Sequence, residues 1–242
     1  YTRAVPCELW HFDRSKPAER RGHVLMLDAR SVFRKVTRTI CDFSPEQLRN
    51  LTAIVWLYRG QQDRFLALVA DYVSRICTEG AKVADALTTF DGLLADVHTR
   101  VGVLATAVVT LEALDAANKQ PLLEGAAELT GARALYEADA VSVRSGLTAF
   151  AAACSAGAPA TNTEQHAARQ AFDPHAEAIR GLIKQVDLLY KLAARTADAA
   201  AAIAGHEAVD TDHDRRAVAR LVRQLDEARR VAVEQLRHTV YF

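Results

Sequence analysis

The chain has 242 residues, half of them hydrophobic, with 30 basic and 30 acidic side chains and a formal charge of zero. That composition suffices for a packed core and excludes a chain disordered by composition. Cys7, Cys41, Cys77 and Cys154 are widely spaced with no CxxC pair, which argues for a reducing cytosol and against a disulfide scaffold or a zinc site. No segment approaches the ~18 uncharged apolar residues of a membrane span, and the N-terminus lacks a basic, apolar, small-residue signal pattern. The expected location is cytoplasmic, with no membrane partner.

Charge is uneven along the chain. Residues 1–60 carry eleven Lys/Arg against six Asp/Glu, a net +5 that the remaining residues balance. Such polarity suits a basic end near DNA and also occurs on ordinary surfaces.

In chain order, Glu8 to Phe12 is a short aromatic-rich strand candidate, followed by a polar turn, Asp13 to Gly22, that contains Pro17. Val24 to Leu27, four apolar residues bounded by charge, reads as a strand buried on both faces. The two read together as an antiparallel hairpin with a long turn. A lone hairpin is marginal in water, so this one is expected at the edge of a larger sheet. Asp28-Ala29-Arg30 leads into SVFRKVTRTI, where a helical turn would put Arg34 and Arg38 on one face beside Lys35. Guanidinium forks match phosphate, so these cations read as DNA-backbone contacts; a solvated basic face or pairing with nearby acids is the other reading.

Ser44-Pro45-Glu46-Gln47 is a helix start: a serine cap, a proline pre-set for the first turn and a glutamine to close a capping box. Leu48, Leu51, Val55 and Tyr58 recur at helical spacing, with Gly60 as terminator. Trp56 and Tyr58 could form a stacking platform, although aromatics on an amphipathic helix are more often core. A second helix is expected over 62–78, interrupted at Gly80.

Heptads then take over. Val83, Leu87, Phe90, Leu94, Val97, Val101, Leu104, Val108 and Leu111 alternate steps of four and three. After a turn at Asn118 to Pro121, a second seam runs Leu122, Ala126, Leu129, Arg133, Tyr136, Ala140, Val143, Leu147, Phe150 and Cys154. Residues 155–163 form a loop. A third seam runs Ala168, Phe172, His175, Ile179, Leu182, Val186, Leu189, Ala193, Thr196, Ala200 and Ile203, with Pro174 placed to kink its beginning. After a loop from Gly205 to Asp212, Val218, Leu221, Leu225, Ala228 and Ala232 face inward on a last helix. The pattern predicts a mainly α protein: an N-terminal β-hairpin followed by a long antiparallel helical bundle. The alanines on the seams permit close approach, and a partner helix could dock on the first seam at Val83, Leu87, Phe90, Leu94, Val97 and Val101.

The order LWHF, charged turn, VLMLDAR, RKVTR, then SPEQLRNLTAIVWLYRGQ resembles the end of the catalytic domain in the modification subunit of type I restriction systems, an adenine-specific DNA methyltransferase. Leu9, Trp10, Phe12, Val24, Leu25, Leu27, Asp28, Ala29, Arg30, Arg34, Arg38, Ser44, Pro45, Glu46, Gln47, Tyr58, Arg59 and Gly60 sit where that pattern wants them. The likeness covers about the first quarter of the chain. It implies that residues 1–60 end an S-adenosylmethionine-binding sheet and that 61–242 form a helical assembly region. It also implies partners: the specificity and restriction subunits, and double-stranded DNA met by Arg30, Arg34, Lys35 and Arg38. The family's glycine-containing cofactor loop and Asn-Pro-Pro-Tyr/Phe segment, which receives the flipped adenine, are both missing from the sequence. The expectation is therefore a C-terminal portion of a longer polypeptide that binds no S-adenosylmethionine by itself. The alternative expectation is a self-contained helical scaffold or dimerisation module.

Two further features carry metal-capable side chains. Residues 205–214 gather His206, Glu207, Asp210, Asp212, His213 and Asp214, without HExxH spacing or the alternation of a calcium loop. Capping and solvation explain such residues between helices. His175, within a seam, reads as a core or interface histidine rather than a ligand.

Overall fold

The computed structural model describes the chain outside residues 1–10, 13, 39, 113, 155–160, 204–211 and 241–242. It is mainly α, with a two-stranded antiparallel hairpin near the N-terminus and a helical bundle after it. The chain divides into two compact units, residues 1–71 and 72–242. The boundary thus falls inside a helix rather than after Gly60.

In the first unit a 3-10 turn, Ala18–Arg20, precedes strand β1, Arg34–Lys35, and strand β2, Cys41–Asp42. Arg34 stands opposite Asp42 and Lys35 opposite Cys41. The turn between them closes through Val36 N–H to Ile40 O at 3.0 Å and Ile40 N–H to Thr37 Oγ1 at 3.0 Å. This corrects two expectations. The hairpin lies at 34–42, not at 8–27: Val24 to Leu27 have no strand partner, and Val24 and Met26 are 80% and 86% exposed. The first expected strand lies outside the described residues except for His11 and Phe12, which are not in a strand. A doubly buried strand needs a sheet on both sides, and no described residue supplies one. Arg34 and Lys35 are also strand neighbours whose side chains alternate, not members of one helical face.

Helix α1, Pro45–Tyr58, starts and stops as its residues dictate. Ser44 Oγ accepts from Gln47 N–H at 3.2 Å, and Gln47 Oε1 accepts from Ser44 N–H at 3.0 Å, a complete capping box. At the other end Gly60 takes φ +73°, Gln61 N–H reaches Trp56 O at 2.8 Å and Gly60 N–H reaches Leu57 O at 3.0 Å. That is a Schellman stop, in which glycine avoids the left-handed penalty.

Helix α2, Gln62–Thr110, runs straight through Gly80. The expected break fails because Gly80 is buried, with Leu147 Cδ2 only 3.5 Å from where its Cβ would stand. The packing of the following seam outweighs a glycine cost of about 1 kcal/mol. Helix α3, Ala116–Cys154, starts one turn before the expected site, because Asp115 Oδ1 accepts from Asn118 N–H at 2.8 Å. Pro121 is carried inside α3. Helix α4, Asn162–Ala202, is opened by a Thr161–Glu164 capping box and carries Pro174. Helix α5, Asp212–Val240, completes the second unit.

Contacts between side chains fix the order of these helices. Asp91 meets Tyr136 and Arg144, and His98 meets Thr130, so α2 and α3 are antiparallel. Asp139 with Gln185, and Glu128 with Arg195, make α3 and α4 antiparallel. Arg229 bonds Asp187 across α4 and α5. Gln235 bonds Glu79, and Arg100 bonds Asp214, which returns α5 to α2 in the opposite direction. The result is a closed four-helix bundle in which each helix is antiparallel to both neighbours. Its core is the set of seams: Val83, Leu87, Phe90 and Leu94 of α2, with Leu129 and Tyr136 of α3, Ile179 and Leu189 of α4, and Leu225 and Leu236 of α5, all at 1% exposure or less. Of the helices described, α2 alone is long and apolar enough to cross a membrane, by length and composition. Its seam is packed on the other three.

Candidate interaction site

The bundle holds its polar groups in pairs that set register. Tyr136 donates to Asp91 Oδ1 at 2.6 Å, and Arg144 holds Asp91 Oδ2. Burial first, then the Asp91 carboxylate, push the Tyr136 phenol far above its usual range, so it remains a donor. Arg229 bridges Asp187 and Asp226, each at 2.7 Å, and stacks on Tyr190 at 4.8 Å. Each carboxylate has its cation, and neither group offers a reacting atom to a substrate. Among the described residues no three His, Cys, Asp or Glu gather to hold a metal. Of the 205–214 group, 205–211 lie outside the described residues, and Asp212 to Asp214 form the first turn of α5, where Asp214 meets Arg100. His175 lies between Phe150 and Phe172, at 5.9 and 6.2 Å between rings, inside the α3–α4 contact.

The six seam residues read as a partner surface, Val83, Leu87, Phe90, Leu94, Val97 and Val101, are each at 1% exposure or less in the core of their own bundle. This corrects that expectation: α3 and α5 already cover the stripe. A partner would have to use another face.

The first unit is built differently. Its only buried described residue is Ala53, and it exposes eleven large apolar side chains, against six exposed on the larger second unit. Phe33, Val36, Ile40 and Phe43 surround the hairpin, while Leu48, Ile54 and Leu57 lie along α1. An apolar surface of that kind, on a unit with almost no buried side chain among its described residues, makes it the candidate interaction site. Arg49, Trp56, Arg64, Ala67, Leu68 and Asp71 line an open groove in the same unit, with Arg49 and Asp71 paired at 3.5 Å. Trp56 is half-buried in that groove.

Cations sit among these apolar residues in three states. Arg30 clasps Asp28 and Arg34 clasps Asp42, each by two bonds at 2.7 and 2.9 Å. The Arg30 guanidinium holds the Asp28 carboxyl down at about 2, and Arg34 holds Asp42 below its usual range. All four groups are exposed, so solvent screens the pairs and a phosphate could compete for either arginine. Lys35 and Arg38 are exposed with no side-chain partner among the described residues. The third group escaped sequence reasoning. Lys16 and Arg20 stand over the Tyr58 ring at 5.8 and 5.6 Å, Arg20 donates to Tyr58 O at 3.3 Å, and Tyr58 donates to His23 O at 2.8 Å. Tyr58 is therefore a peg that fastens residues 16–23 to the C-terminal end of α1, where cations complement the helix dipole. The only signal in the sequence was a basic turn and a tyrosine some forty residues apart, and nothing local joins them.

Comparison with protein-family models, with curated proteins and with solved structures finds no match for this chain.

Proposed function

We propose that this chain is an assembly segment: the C-terminal part of a type I modification subunit, in which the first unit seats against a larger domain and the bundle acts as a rigid strut. The carrying observation is the contrast between the units. The bundle buries most of its seam positions, whereas the first unit leaves Phe12, Val24, Met26, Phe33, Val36 and Leu48 exposed and, among its described residues, buries only Ala53. Hydrophobic surface of this extent needs cover. A sheet supplied by the methyltransferase domain is the cover that the likeness at residues 9–60 suggests.

On this reading the complete subunit transfers a methyl group from S-adenosylmethionine to adenine N6 in the cytoplasm, with its catalytic motifs on a part of the polypeptide other than these 242 residues. The specificity and restriction subunits are its partners, and Arg30, Arg34, Lys35 and Arg38 supply phosphate contacts at the DNA. Lys35 and Arg38, already without acidic partners among the described residues, would contribute most to salt-dependent affinity. The test is a pair of surface variants, Phe33→Asp and Val36→Asp, in the complete subunit. The expectation is loss of a stable, monodisperse subunit with the bundle still helical. Unchanged solubility, melting and methylation would contradict the reading.

The closed bundle favours a second reading, a self-contained helical scaffold without a DNA role. It predicts a stable folded chain indifferent to the specificity subunit and to DNA.

A further inference from the structure

Two thiols separated by half the bundle's sequence meet in its fold. The α2–α3 contact runs from His98 with Thr130, through Asp91 with Tyr136, to Gly80 with Leu147, moving toward the start of α2 and the end of α3. Three residues before Gly80 on α2 and two turns past Leu147 on α3, the Cys77 and Cys154 side chains come within hydrogen-bonding reach of each other, Cys154 being the last residue of α3. Both are free, both are half-buried, and both pack on the same hydrophobic cluster. Among the described residues the two belong to no cluster of His, Cys, Asp or Glu able to hold a metal. Neither thiol takes part in the surface described above.

We propose that Cys77 and Cys154 are a reversible disulfide site that staples the end of α3 to α2. Two-electron oxidation by a small disulfide such as oxidised glutathione balances the step. The Cys77 thiolate attacks one sulfur of the oxidant, releasing one thiol and leaving a mixed disulfide on Cys77. The Cys154 sulfur then attacks Cys77 Sγ, gives up its proton to solvent and expels the second thiol. The net change is one S–S bond formed within the chain, one broken in the oxidant, and two thiols released. Burial and the neighbouring Cys77 push the Cys154 thiol up to about 11, which makes Cys154 the poorer first nucleophile and suits it to the resolving step. In a reducing compartment such a pair is open at rest and closes under oxidative load.

The staple closes a long loop, so it should raise the bundle's melting midpoint by roughly 10 °C. The experiment treats the full chain with oxidised glutathione, without denaturant, and maps disulfides by mass spectrometry of peptides. The expected result is a Cys77–Cys154 cross-link in the wild type and in a Cys7→Ser/Cys41→Ser variant, a higher midpoint, and reversal of both by a dithiol reductant. Cys154→Ser should stop at a glutathione adduct on Cys77. A folded wild type in which Cys77 and Cys154 each keep separate glutathione adducts, or pair with Cys7 or Cys41 instead, would overturn the proposal. Because the wild-type map needs no substitution, a variant that fails to fold does not blur the outcome.

Discussion

A methyl group added to Gly125 separates helix propensity from helix packing, because α3 carries a second glycine, Gly131, whose Cβ would meet nothing within 4 Å. Replacing glycine by alanine inside a helix gains about 1 kcal/mol from propensity at either position. At Gly125 the new Cβ would lie 2.6 Å from Thr196 Oγ1 and 3.3 Å from Thr196 Cβ on α4. Thr196 cannot swing away freely. It is fully buried, and its hydroxyl already donates to Leu192 O at 2.8 Å. Overpacking of this kind costs about 1–3 kcal/mol. Gly131→Ala should therefore stabilise by about 1 kcal/mol, whereas Gly125→Ala should be neutral to about 2 kcal/mol destabilising once the same gain is subtracted. The gap, about 1–3 kcal/mol, reads the α3–α4 approach directly and corresponds to roughly 2–12 °C in melting midpoint. Urea and thermal unfolding followed by helical circular dichroism would measure it, with Gly125→Ala/Thr196→Ala expected to recover part of the loss. Equal stabilisation by Gly125→Ala and Gly131→Ala would rule out the overpacking, since it would mean that α4 is not where the close contact requires it to be.

Other expectations concern the core and the pH response. Phe90→Ala removes a ring packed edge-on to Tyr136 at 5.7 Å and should cost about 3–5 kcal/mol in urea unfolding, whereas Val103→Ala on the exposed side of α2 should stay within about 0.5 kcal/mol. Acidification should weaken the bundle in two stages. Burial, then Arg133, lowers the His98 pKa below its ordinary 6.5. Glu79 is held below 4.5 by the Gln235 amide and then by Lys82. Asp226 is raised by burial but brought net below 3.8 by Arg229 and Arg230. In each case the folded value is depressed, so the unfolded chain binds more protons below the ordinary value and stability falls with falling pH. A small decline is expected below about pH 6.5 and a steeper one below about 4.5, read as urea midpoints across a pH series. Glu79→Gln and Asp226→Asn should flatten the acid limb.

The helical half of this fold was legible because a heptad seam is a local, repeated signal. Each of its positions from Val83 to Val108 is buried, and so are most positions of the seams on α3, α4 and α5, with Ala126, Arg133, Cys154, Ala168, His175 and Leu221 only half-buried. What failed depended on contacts between distant residues. Gly80 looks like a break until Leu147 is placed against it. Val24 to Leu27 look like a core strand until the absence of a partner among the described residues is seen, while the actual strands, Arg34–Lys35 and Cys41–Asp42, are too short and too charged to show a period of two. The six apolar side chains of the first seam signalled burial correctly but could not say whether the cover was a partner or the chain's own helices. The same blindness hid the meeting of Cys77 with Cys154 and the clasp of Asp42 on Arg34, a pairing set by hairpin register rather than by sequence spacing.

The assembly role stands or falls on a co-purification and size-exclusion run of this chain with the specificity subunit of its own system, at low and high salt. Assembly predicts a stoichiometric complex that survives Lys35→Ala/Arg38→Ala and resists salt, because closed helices and apolar surface, rather than charge, hold it together. A chain that elutes alone as a well-folded species under both conditions would contradict assembly and leave the bundle as a scaffold in its own right.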